Sequence, residues 1–118
     1  MGTTVRFASL LLLVVHLSQA DLRPPEVKVY SRLPAEVGKP NTLICYCEKF
    51  YPPNIEVTLL KNGEVMEGTM AKDMSFDQDW TYYFMKYSNF IYNPGDKLDC
   101  KVAHNGMKAT VHTWDPKL

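Results

Sequence analysis

Apolar and polar positions alternate along this chain in short runs that suit strands and are too brief for helices. Residues 26–31 set Val27 and Val29 on one face and Lys28 and Tyr30 on the other. Residues 42–47 group Leu43, Cys45 and Cys47 against Ile44 and Tyr46, and residues 55–60 group Ile55, Val57 and Leu59 against Glu56 and Thr58. Val65-Met66 reads as a short edge, residues 70–76 as a weak run, and residues 80–87 as a strong aromatic strand. Leu98, Cys100 and Val102 then share a face, and residues 109–114 form the last run. Turn residues separate these runs: Pro34, Gly38 and Pro40, then Tyr51-Pro52-Pro53-Asn54, Asn62-Gly63, Asn93-Pro94-Gly95-Asp96 and Asn105-Gly106. Asn-Gly supplies the positive φ that a tight hairpin needs.

About seven strands with no helix to cover a parallel sheet predict an all-β, antiparallel, seven-stranded sandwich. Cys45 and Cys100 fall on inward faces of strands far apart in sequence, so a bridge between them would join the two sheets. Closing that loop would contribute about 4 kcal/mol on a chain-entropy argument. Cys47 lies on the same inward face as Cys45 and competes for Cys100, with strand register deciding between them.

The first twenty residues do not fit this pattern. Arg6 precedes a mostly apolar stretch at residues 7–15, and Ser18-Gln19-Ala20 places small residues around a cleavage point. This is the order of a secretory leader. Nine helical residues span only about 14 Å, short of a bilayer core of about 30 Å. The expected organisation is therefore a leader at 1–20, removed after Ala20, and one domain at 21–118. A secreted, oxidised setting makes a disulfide the default use of cysteine.

Composition narrows the function. The 118 residues carry 13 basic and 13 acidic side chains, which argues against a nucleic-acid groove. With 46% hydrophobic residues the chain has enough apolar content for a core. No second apolar run approaches membrane length, so no direct membrane insertion is expected. None of Asn41, Asn54, Asn62, Asn89, Asn93 and Asn105 begins an Asn-x-Ser/Thr triplet.

No catalytic set, Gly-rich phosphate loop or cofactor motif appears. Asp73, Asp77 and Asp79 lack the ligand number and glycine placement of a calcium loop. His104 and His112 have no zinc-ligand spacing with the cysteines, and the face of His112 is not decided by its parity. Cys47 reads as a buried thiol that packs like a small hydrophobe. The informative feature is a surface. Outward positions of three strands are Lys28 and Tyr30, Ile44 and Tyr46, then Tyr83, Met85 and Tyr87, and all but Lys28 are aromatic or apolar. Such a face marks a partner site, and an exposed Trp80 beside acidic residues would serve as an anchor.

Two stretches carry a family resemblance: Cys45-Tyr46-Cys47-Glu48-Lys49-Phe50-Tyr51-Pro52 and Cys100-Lys101-Val102-Ala103-His104. They resemble the first- and second-cysteine motifs of immunoglobulin constant-type domains. Val29-Tyr30-Ser31-Arg32, Leu59-Leu60-Lys61-Asn62-Gly63-Glu64, Asp73-Met74-Ser75-Phe76, Asp79-Trp80 and Trp114-Asp115 narrow the likeness to the light chains of class I histocompatibility molecules. The chain departs from the wider family in having Leu59-Leu60 where a strand tryptophan is usual. It also has Leu98 in place of the corner tyrosine, Cys47 at a usually aliphatic site, and a last hairpin one residue shorter.

The resemblance implies a non-catalytic subunit that binds a class I or class I-like heavy chain noncovalently and stabilises the peptide-presenting complex at the cell surface. It implies a Cys45–Cys100 disulfide, no cofactor and no metal. It places Tyr30, Ser31, Arg32, Pro34, Tyr46, Asp73, Ser75, Phe76, Trp80, Tyr83 and Met85 at the heavy-chain interface. Two alternatives stand beside it: a stand-alone secreted immunoglobulin-like binding protein, and a thiol-active or metal-carrying protein using Cys45-x-Cys47.

Overall fold

The alternation closes into two antiparallel sheets that share one core. The computed structural model describes residues 22–117; the leader read at 1–20, together with Asp21, lies outside the described residues. Eight strands follow in order: β1 (Glu26–Ser31), β2 (Pro40–Phe50), β3 (Ile55–Lys61), β4 (Glu64–Val65), β5 (Met70–Phe76), β6 (Tyr82–Ile91), β7 (Leu98–His104) and β8 (Thr110–Thr113). One sheet has the order β1-β2-β6-β5 and the other β4-β3-β7-β8. The two-residue β4 at Glu64–Val65 is the short edge expected at Val65-Met66, one residue earlier, and the other seven strands make up the rest of the sandwich.

Register follows from the hairpins. Lys61 pairs with Glu64 around Asn62 and Gly63, both at positive φ (52° and 84°). This is the mirror-image turn whose twist matches the flanking strands. Asn62 also fixes the neighbouring β6–β7 turn: its side chain donates to Asp96 (3.0 Å) and accepts from the Lys97 amide (2.9 Å).

The core is built by inward residues of both sheets. Leu43, Cys45, Cys47 and Phe50 of β2 face Val57 and Leu59 of β3 and Leu98, Cys100 and Val102 of β7, all buried. Cys45 and Cys100 form a disulfide across the sheets, separated by 55 residues in sequence. Cys47 remains a buried free thiol. Trp114 enters from the chain end and packs edge-on against Phe90 and Tyr92, with ring centroids 5.3 and 5.5 Å away. This chain thus draws its core tryptophan from beyond β8, since β3 supplies only Leu59 there. Leu98 is buried at the site of the missing corner tyrosine.

Two expectations change, and the open question of His112 is answered. The aromatic strand begins at Tyr82, not Trp80, and runs on to Ile91. Trp80 has φ of 67° and sits in a turn closed by Asp77 N–H to Thr81 O (2.7 Å), a conformation no strand residue adopts. The second strand extends to Pro40 and Phe50: alternation persists back to the buried Asn41, while beyond Cys47 a register shift, with Lys49 at φ of 59°, returns Phe50 to the inward face. His112 pairs with Cys100 and so takes the inward parity, with its Nε2 2.8 Å from the Thr110 hydroxyl.

Candidate partner-binding surface

Strand pairing aligns the outward side chains of the β1-β2-β6-β5 sheet into rows. Tyr30 pairs with Ile44, Ile44 with Tyr87, and Tyr87 with Met70. The next row runs Lys28, Tyr46, Met85, Lys72. Paired residues in an antiparallel sheet share a face, so six aromatic or apolar side chains form one patch. Tyr83 joins it, with its ring centroid 6.3 Å from that of Tyr46. Tyr30 and Met70, at opposite edges of the sheet, are 42% and 45% exposed. Thr42 closes the patch on one side by donating to Asn89 (2.9 Å).

An ion pair neutralises one margin of the patch. Lys28 pairs with Glu48 at 2.7 Å, and that hydrogen bond raises the lysine above its ordinary value. Partial burial, then the Glu48 carboxylate, holds the Tyr46 phenol above its ordinary range, so its hydroxyl is protonated and free to donate. Between Lys72 and Ser75 the β5–β6 register slips by one residue. Beside this bulge lies a concavity of about 330 Å³ lined by Tyr46, Lys72, Ser75, Tyr83 and Met85.

A second aromatic group crowns one end of the sandwich. Phe76, at the end of β5, meets Trp80 and Tyr82 edge-on at 5.6 and 5.0 Å, and Tyr82 stacks on Tyr51 at 6.3 Å. Arg23 and Tyr51 exchange backbone hydrogen bonds of 2.9 and 3.0 Å, which ties the N-terminal segment beneath the group. Together with Asp79 these residues line a concavity of about 530 Å³. The Trp80 turn is held from within. Asp79 accepts from the Thr81 amide (3.1 Å) and the Thr81 hydroxyl, and the hydroxyl bond lowers the Asp79 carboxyl below its ordinary value. The result is an indole 76% exposed on a fixed backbone.

The remaining sequence-derived residues fall elsewhere. Ser31, Arg32 and Pro34 lie at the opposite end of the sheet from Phe76 and Trp80. Their loop is braced by the buried Asn41, whose side chain accepts from Leu33 N–H (3.0 Å) and donates to Leu33 O (2.9 Å). Asp73 lies in β5, and its side chain is outside the described residues. The expected residues therefore form one face and its two ends. Arg23, Tyr51 and Tyr82 of the aromatic end, and Met70 of the face, were missed by pattern reading. Met70 sits in a weak run, and the bulge hides its parity.

The other chemical candidates are structural. His104 is buried against Phe50, and its Nε2 donates to Pro52 O at 2.9 Å. Burial pushes the Cys47 thiol up to about 12, leaving essentially no nucleophilic thiolate near neutral pH. Among the described residues no three His, Cys, Asp or Glu side chains converge as a metal site.

Residues 27–107 match the Immunoglobulin C1-set domain family. The chain is 42% identical over 116 residues to beta-2-microglobulin of Cricetulus griseus, covering 98% of each chain. It is 42% identical over 119 residues to beta-2-microglobulin of Danio rerio, covering 100% of each. With beta-2-microglobulin of Gallus gallus it shares 44% identity over 108 residues, covering 91% of this chain and 90% of that one.

Proposed function

This chain belongs to the beta-2-microglobulin family of immunoglobulin C1-set domains, and from that premise we propose that it is the non-catalytic light chain of a class I histocompatibility molecule. It binds the heavy chain noncovalently and stabilises the peptide-presenting complex. The observation that carries this reading is the outer face of the β1-β2-β6-β5 sheet. Tyr30, Tyr46, Tyr83 and Met85 form an apolar patch continuous across three strands, with Phe76 and Trp80 exposed at its end. Nothing among the described residues covers it, as a self-contained secreted domain would require.

In this assignment Trp80 and Phe76 reach under the peptide-binding platform. Tyr30, Tyr46, Tyr83 and Met85 face the membrane-proximal immunoglobulin-like domain of the heavy chain. Ser31, Arg32 and Pro34 extend the contact at the far end, and Asp73 and Ser75 link the face to the aromatic crown. The mechanism is linkage. A subunit that binds only the folded heavy chain stabilises it by about 2.7 kcal/mol when present at a hundred times its Kd. Peptide is retained for as long as the assembled state is favoured.

Residues 1–20 act as the secretory leader, and the complex stands at the cell surface through the heavy chain's own anchor. Expressing the tagged full chain in cells of its own source tests the whole reading. The secreted product should begin at Asp21, and a membrane-anchored heavy chain should co-purify without a covalent link. Recovery of the folded chain alone from heavy-chain-positive cells would reject it.

A further inference from the structure

Three exposed aliphatic residues lie at the end of the sandwich opposite Trp80, and the contact assigned above uses none of them. Leu33 and Val37, 54% and 63% exposed, stand on the loop between β1 and β2. Ile91, 51% exposed, ends β6 and pairs with Pro40, where that loop enters β2. We infer that this pole is a lipid-contacting tip: in the assembled molecule Leu33, Val37 and Ile91 rest in the headgroup layer of the bilayer that anchors the heavy chain. The inference rests on the light-chain reading and gives a second surface a different occupant.

Position supports it first. On the light-chain reading Trp80 and Phe76 meet the underside of the platform, so the strands carry the β1–β2 loop and the β6–β7 turn away from it, toward the membrane. The 11 residues of β2 alone span about 36 Å. The assigned contacts Arg32 and Pro34 flank Leu33 in sequence. The heavy-chain domain that leads into the anchor therefore stands beside the same pole. The tip is separate from the aromatic face. Ile91 shares the outward parity of Tyr87, but the Thr42–Asn89 hydrogen bond (2.9 Å) lies between them.

The tip is also built to leave water. Gly38 N–H donates to Tyr92 O (2.8 Å) and Lys39 N–H to Glu36 O (3.2 Å). The buried Asn41 satisfies both backbone groups of Leu33. Backbone groups paired from within are what entry into a poorly hydrated layer requires. The lysines at this end have carboxylates beside them: Lys39 and Glu36 at 3.2 Å, Lys61 and Asp96 at 3.6 Å, Lys97 and Asp99 at 3.8 Å. An aliphatic tip whose lysines are already paired suits a zwitterionic phosphatidylcholine surface better than an anionic one. A protein partner fits less well. A standard interface covers about 800 Å² of each side, whereas this pole presents three aliphatic side chains on a loop and a strand end. Contact by so few side chains is weak alone, and the heavy chain's anchor makes it effectively intramolecular.

The test assembles the light chain with full-length heavy chain in phosphatidylcholine vesicles that carry a nitroxide on the headgroup. Val37→Cys and, separately, Val111→Cys on the polar sheet each add one exposed thiol for a fluorophore, attached before assembly; Cys47 is buried. The probe at position 37 should be quenched at least twofold more than the probe at position 111. Adding Leu33→Ser with Ile91→Ser should bring its quenching down to the level at position 111. The free chain's melting temperature should stay within a few degrees, because all these positions are exposed. Equal quenching at the two positions would overturn the inference and leave the light-chain reading standing, as would quenching at position 37 that Leu33→Ser with Ile91→Ser does not reduce. A tenfold loss of affinity for soluble heavy-chain ectodomain in that double variant would assign the tip to the heavy chain and also overturn it. Failure of the parent chain to assemble with heavy chain would reject both readings.

Discussion

The two sheets share one core, yet their outer faces have opposite chemistry. On β1-β2-β6-β5 the outward rows are aromatic and apolar. On β4-β3-β7-β8 they are Glu56 beside Ala103, Thr58 beside Lys101 and Val111, and Leu60 beside Asp99 and Thr113. The second face satisfies its own polar groups. The Thr113 hydroxyl donates to Asp99 at 2.6 Å, with Lys97 3.8 Å from the same carboxylate. Inward positions are constrained alike in both sheets, since each fills one side of a close-packed interior. Outward positions are not constrained by folding, so their difference reports function. A solvated sheet keeps polar residues outward; the first sheet does not, and its exposure in the free chain is the cost of having a partner.

The staple between the sheets is where this comparison breaks most completely. Cys45→Ala with Cys100→Ala should cost about 4 kcal/mol, from opening a loop of 55 residues. Typical domains have about 5–15 kcal/mol in total. Denaturant unfolding of the double variant should show the midpoint collapse, and heavy-chain binding should be lost with the fold. A double variant with the parent's midpoint would mean that the core alone holds both faces in place.

Trp80 separates face from fold. Its indole is 76% exposed, and its backbone sits at φ 67°, where a side chain is strained and glycine is not. Trp80→Gly should therefore leave the free chain as stable as the parent, or more stable by up to about 1 kcal/mol. Heavy-chain affinity should fall by about 2 kcal/mol or more, the loss expected of a buried aromatic anchor. Calorimetry of the free chain beside a heavy-chain titration reads both effects. A variant destabilised in isolation would return Trp80 to the fold.

Cys47 tests the shared interior from the other side. Its thiol titrates at about 12 when folded and near 8.5 in an open chain. A raised folded value means stability is fully present below the unfolded value and declines as pH rises toward the folded one. The parent should lose about 1.4 kcal/mol per pH unit between about 9 and 12 from this group. Cys47→Val should remove that slope and change stability at pH 7 by less than about 1.5 kcal/mol. In the folded parent a thiol reagent should find no reactive cysteine at pH 8; rapid labelling would contradict the buried assignment.

Much of this was readable from period-two alternation, because one-sided burial fixes which residues face inward. It placed Leu43, Cys45, Val57, Leu59, Leu98, Cys100 and Val102 in the core and set Tyr30, Tyr46, Tyr83 and Met85 outward on one sheet. The Asn62-Gly63 turn was legible through backbone chemistry. What alternation could not reach depended on irregular backbone or long-range contact. The β5 bulge hid the alignment of Met70 with Tyr87, and a side-chain-braced turn removed Trp80 from its strand. Arg23 and Tyr51 meet only through tertiary pairing. Lys86 shares the inward parity of Phe84 and Phe90, and its ammonium donates across the sandwich to Val57 O at 2.8 Å. The cross-sheet partner that accommodates this lysine in an apolar interior is not visible from local pattern.

The smallest expected effect falls on the polar sheet and is the control the comparison needs. Thr58 and Lys101 are paired outward neighbours, and Lys101 is exposed. Thr58→Ala and Lys101→Ala remove no core contact and no ion pair found among the described residues, so each should alter stability by less than about 0.5 kcal/mol. If partner contact is confined to the aromatic sheet and its ends, heavy-chain affinity should also stay within twofold of the parent in both variants, measured in the same titration as Trp80→Gly. A tenfold loss in either would mean that the polar sheet is also a contact surface. Binding would then be distributed around the sandwich, and the chemical contrast between the two faces would no longer identify where the partner sits.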